Sequence, residues 1–76
     1  MTDEEAVVQA AAEAAEEVVL SRLGHGDVED LDITVSFEDA VLEVEVYVHA
    51  PEAENTDQVV DDAVLAAQNA ADDLVE

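Results

Sequence analysis

The chain has 76 residues and 22 carboxylates against a single basic side chain, a formal charge of −21, which excludes a conventional basic nucleic-acid-binding module. Half of the residues are nonetheless apolar. That is too many for an acidic disordered tail, and one folded domain over 1–76 is expected. Cysteine is absent, which removes disulfides, thiolate chemistry and zinc–thiolate sites, and no stretch nears the roughly 18 apolar residues of a membrane span.

Met1–Glu5 is acidic and lacks the cationic and apolar segments of a signal peptide, so a cytoplasmic location is expected. Thr2 followed by Glu5 is a capping box and predicts a helix start. From Asp3 to about Leu23, the residues Val7, Val8, Ala11, Ala12, Ala14, Ala15, Val18, Val19 and Leu23 fall on one arc at 100° per residue, with Gln9, Glu13, Glu16 and Glu17 opposite. Gly24 supplies a left-handed stop, and Arg22 sits in the last turn, where the helix dipole favours a cation.

At Leu31 the period changes to two. Leu31, Ile33, Val35 and Phe37 alternate with polar residues, and so do Leu42, Val44, Val46 and Val48, which predicts two strands with one buried face each. A two-residue turn at Asp39-Ala40 pairs Phe37 with Leu42, Val35 with Val44, Ile33 with Val46 and Leu31 with Val48. A slip by one residue would destroy that agreement. Residues 50–56 form a linker, since Pro51 cannot donate to a ladder and Asn55 or Thr56 is a good helix cap. A second helix follows, with Val59, Val60, Ala63, Val64, Ala67, Ala70, Ala71, Leu74 and Val75 on its apolar arc and Asp61, Asp62, Gln68, Asn69, Asp72 and Asp73 opposite. The expected fold is α+β, in the order αββα, with both helices on one face of an antiparallel hairpin.

Such a fold needs support. A lone hairpin is marginal in water and both of its strands are edges. Alanine and valine supply most of the apolar residues, and a core in so short a chain rarely gives more than about 3–5 kcal/mol. A sheet extended by a partner is therefore expected. Leu20 and Leu65, one on the polar side of each helix, are candidate interface residues, together with Arg22 and with Tyr47 on the outer sheet face. Arg22 also has a plain structural reading, its stem on the core and its head paired with a carboxylate or with helix carbonyls.

Sites for chemistry are not predicted. His25 and His49 lie at the same end of the hairpin, with Asp27, Glu29, Asp30, Glu52 and Glu54 close in sequence. Their spacing matches no established metal motif, and Asp27–Asp32 fails the calcium-loop pattern at Leu31 and Asp32. Carboxylates are so frequent that the proximity of any two carries no information on acid–base work. Ser21 and Ser36 lack a nucleophile elbow, and Gly24-His25-Gly26 follows a helix and precedes a strand, the reverse of a phosphate-binding loop. No catalytic residue, metal or cofactor is expected, and the protein reads as a non-enzyme. The near-absence of cations suits a halophilic cytosol, where molar salt shrinks the Debye length to about 3 Å and screens the self-repulsion.

The run from Leu31 to Val48, LDITVSFEDAVLEVEVYV, resembles a family of short archaeal proteins of uncharacterised-domain type, the haloarchaeal ones especially. In layout the chain is also similar to the small dimer-forming subunit of the KEOPS complex, which modifies tRNA with threonylcarbamoyl-adenosine, and to that subunit's archaeal paralogue. It covers the last four elements of that family and lacks its first strand. The resemblance implies a non-enzymatic accessory subunit, a homodimer or a heterodimer with a related small subunit, that meets tRNA only indirectly if at all. The alternative is a stand-alone acidic homodimer, with a metal at His25 and His49 as a variant of that reading.

Overall fold

The computed structural model describes residues 3–24 and 26–75, the side chain of Val75 excepted. The order is helix α1 (Glu4–Leu23), strand β1 (Asp30–Glu38), strand β2 (Val41–His49) and helix α2 (Thr56–Val75). This is the expected αββα arrangement. β1 and β2 form a two-stranded antiparallel sheet. The helices pack on each other and on one sheet face, α1 over β1 and α2 over β2.

α1 is capped by Asp3, whose Oδ1 accepts from the Glu5 N–H at 3.0 Å while its carbonyl accepts from Val7. The cap is thus one residue later than the Thr2–Glu5 box predicts; Thr2 lies outside the described residues. A carboxylate serves this position as well as a hydroxyl does, and it also favours the positive end of the helix dipole. At the other end, the Gly24 N–H donates to Leu20 O at 2.9 Å. The φ of Gly24 is positive, as a stop requires, but its ψ of 151° is extended rather than left-handed helical. This region of backbone space is essentially closed to other residues.

The register is the one the alternation demands: Leu31↔Val48, Ile33↔Val46, Val35↔Val44 and Phe37↔Leu42. Asp39 and Ala40 form the two-residue turn with φ of 52° and 65°. Positive φ at both central positions is the type I′ geometry, whose twist matches that of the strands. Beyond Asp30, the Glu29 N–H still reaches His49 O at 2.8 Å. In the linker, Ala53 donates to Ala50 O, and Asn55 O accepts from Val59 N–H as α2 begins at Thr56.

The core lies between the helices. Val7, Ala11, Ala15 and Val19 of α1 and Val59, Ala63 and Ala67 of α2 have no exposed surface. Ala50, from the linker, is also buried. The apolar row of the sheet is the less exposed face, as the alternation predicts, but it is half-buried rather than buried. Small side chains let α1 and α2 approach each other closely, and their shared seam, not the sheet, becomes the driest region. Leu31, Ile33, Val35, Val44, Val46 and Val48 pack against that core from below. Leu74, expected on the buried arc, is 47% exposed. Among the described residues no charged or polar side chain is buried.

Candidate functional site

The candidate residues fall on two opposite sides of the molecule. On the helix side, Arg22 Nη2 lies 2.8 Å from Asp62 Oδ2, joining the last turn of α1 to α2 across the helix–helix boundary. The Arg22 side chain is half-exposed, so water competes for the ion pair and its structural contribution is small. Arg22 therefore has the carboxylate partner of its structural reading. Arg22 and Asp62 sit in a groove of about 390 Å³ lined also by Glu17, Val18, Ser21, Leu65, Ala66 and Asn69. Leu65, 55% exposed, is the large apolar side chain in it. Leu20 is half-buried rather than exposed, and lines an adjoining groove with Glu13, Glu16, Glu17 and Ser21. Leu20, Leu65 and Arg22 thus occupy neighbouring ground, with carboxylates around it.

Tyr47 is not part of that ground. It stands on the outer face of the sheet, away from the helices, 56% exposed. This face carries the cross-strand pairs Asp30↔His49, Asp32↔Tyr47, Thr34↔Glu45, Ser36↔Glu43 and Glu38↔Val41. Ser36 Oγ donates to Glu43 Oε1 at 3.4 Å, and a shallow cavity of about 350 Å³ opens between Thr34, Ser36, Glu43, Val44 and Glu45. A hydroxyl beside a solvated carboxylate has neither the base nor the oxyanion donors of a nucleophilic site. His49 Nε2 lies 4.0 Å from Glu29 Oε1, with both side chains exposed. His25 lies outside the described residues, and its approach to His49 with it. Among the described residues no three His, Asp or Glu side chains converge as metal ligands.

A third feature is the backbone of the sheet itself. A two-residue turn makes its closing pair, Glu38↔Val41, a hydrogen-bonded pair, and bonded and non-bonded pairs then alternate along the ladder. The apolar rows are the non-bonded pairs. Leu31, Ile33, Val35 and Phe37 therefore turn their N–H and C=O groups to one edge, and Leu42, Val44, Val46 and Val48 turn theirs to the other. Sequence reading identifies both strands as edges, but it does not single out these groups, which emerge once the turn and register are combined. Neither strand carries proline or lysine, two common devices that blunt an edge.

The model of a family described as proteins of unknown function, DUF3194, matches residues 1–74. An uncharacterised protein of the haloarchaeon Natronomonas pharaonis is 43% identical over 70 residues, which is 92% of this chain and 84% of that protein. No solved structure matches. Among the described residues no helix is long and apolar enough to cross a membrane.

Proposed function

The chain belongs to the DUF3194 family of small proteins, and from that premise we propose that it is a non-enzymatic interaction subunit whose sheet is completed by a partner. The observation that carries this reading is the two-stranded sheet, neither edge of which is paired with another strand among the described residues. Each edge offers main-chain donors and acceptors over a nine-residue strand, the means by which strand addition holds proteins together without basic side chains. The half-buried apolar row beneath the helices adds a second reason, because a third strand would cover more of it.

The assembly proposed is KEOPS, with the chain as an accessory paralogue of its small dimer-forming subunit. Support for this finer reading is layout alone: the helix, two strands and helix match the last four elements of that subunit, whose first strand this chain lacks. With one arginine and no lysine, contact with tRNA falls to the partner. The cytosol proposed is one of molar salt, which the charge of −21 favours.

Affinity purification of the chain from a native high-salt archaeal lysate tests both levels. Recovery of the kinase-like catalytic subunit and of a related small subunit is the expected result. Recovery of the chain as a homodimer alone would leave the interaction reading standing and remove KEOPS. A strictly monomeric species at tens of micromolar, indifferent to the small subunit, would remove both.

A further inference from the structure

We propose that β2, rather than β1, is the docking edge, and that it takes a strand of another protein bearing basic side chains at alternate positions. This inference rests on the strand-completion reading and gives it an address. The outward N–H and C=O groups of Leu42, Val44, Val46 and Val48 are the attachment points. Once they are bonded to a new strand, Glu43, Glu45 and Tyr47 fall in the non-bonded pairs, where facing residues come closest, with Cα atoms about 4.5 Å apart. A side chain opposite each of them is then in direct contact.

The charge pattern selects the occupant. Glu43 and Glu45 are successive outward residues on β2, and Tyr47, 56% exposed, continues the same row. Two cations opposite the glutamates meet carboxylates that have no cationic partner among the described residues. A third meets an aromatic face, which also attracts cations. β1 also has outward carboxylates, but they are divided, Asp30 and Asp32 at one end and Glu38 at the other with uncharged Thr34 and Ser36 between them; no aromatic side chain continues either group, and the Glu29 N–H beside Asp30 is already bonded to His49 O.

A second copy of this chain fits β2 poorly. Full-length antiparallel pairing centres on Glu45 and sets the two Glu45 side chains against each other. One register step back sets Glu43 of one copy against Glu45 of the other. The step forward places the glutamates against Tyr47 and His49 and leaves every carboxylate without a cation. Like charges directly opposite destabilise a strand pair.

The test uses the full chain in molar KCl with a synthetic peptide that alternates lysine and valine. A peptide of the same composition, with lysines and valines in separate blocks, controls for bulk charge. Amide hydrogen exchange is read residue by residue. The expected result is at least tenfold slower exchange at Leu42, Val44, Val46 and Val48 with the alternating peptide, no slowing at Leu31, Ile33, Val35 and Phe37, and little effect of the block peptide. Glu43→Lys/Glu45→Lys, both solvent-facing changes, should fold by circular dichroism and lose at least tenfold in peptide affinity. Slowing confined to the β1 amides would overturn the choice of edge while strand completion stands. Equal protection by the block peptide, or protection of β2 by self-association without peptide, would overturn the basic-strand partner. No slowing at either edge would count against both the inference and the reading beneath it.

Discussion

Ala40 occupies φ of 65° without glycine's freedom, and an L-residue there is strained by roughly 1–2 kcal/mol. Ala40→Gly relieves the strain but enlarges the entropy of the unfolded chain, which offsets part of the gain. A net stabilisation of about 1 kcal/mol is expected, seen as a rise of ~4–8 °C in the thermal midpoint. Gly24→Ala should act in the opposite sense. A methyl group there would meet only Asp27 Oδ2 at 3.9 Å, so no clash contributes. The cost is the backbone alone, about 1–3 kcal/mol for a non-glycine residue in that region. Chemical denaturation of the two variants beside the parent chain measures both.

At the scale of elements, the seam between α1 and α2 holds the fold. Val59 has no exposed surface and belongs to the same buried cluster as Ala15 and Val19. Val59→Asp buries an unpaired charge at a cost of several kcal/mol, comparable to all the stability so small a core provides. The variant should be unfolded in molar KCl by circular dichroism. Val44→Asp, half-buried at an edge strand, should lose less, because its carboxylate can turn toward water. The strands and their register were readable in the sequence because side-chain alternation and a two-residue turn impose the same pairing independently. The depth of the sheet was not, because burial depends on how closely two alanine-rich helices approach each other, and periodicity carries no such distance. The choice between Thr2 and Asp3 as cap was hidden for a related reason, since adjacent residues both have the chemistry. The candidate surface was partly legible. Exposure of Leu65 and Tyr47 followed from their place among acids, whereas Asp62 as the partner of Arg22 depends on a helix far along the chain.

For the whole molecule, charge decides the conditions of folding. A charge of −21 is spread over a body of 43 × 17 × 16 Å, so in dilute buffer most carboxylates lie within a Debye length of several others. Raising KCl to the molar range reduces that length to about 3 Å and removes most of the repulsion. Helicity measured by circular dichroism should therefore rise steeply with KCl and level off. Unchanged, complete helicity in dilute buffer would defeat the screening argument. The Arg22–Asp62 pair should run the other way. Arg22→Ala should lower stability by at most ~1 kcal/mol at low salt, and by less in molar KCl, where an exposed pair is itself screened. Melting curves at the two salt concentrations would separate the two effects.

The seam joins α1 to a helix that is synthesised only after both strands of the hairpin. Synthesis proceeds at about 5–20 residues per second, so the 20 residues of α2 take roughly 1–4 s to make after α1, β1 and β2 exist. Throughout that interval Ala11, Ala15 and Val19 have only the hairpin beside them and lack the α2 side of their cover, Val59, Ala63 and Ala67. The nascent chain waits with part of its most apolar stripe in water, and Glu13, Glu16 and Glu17 on the opposite side of the same helix give it the charge that keeps it apart from other unfinished copies.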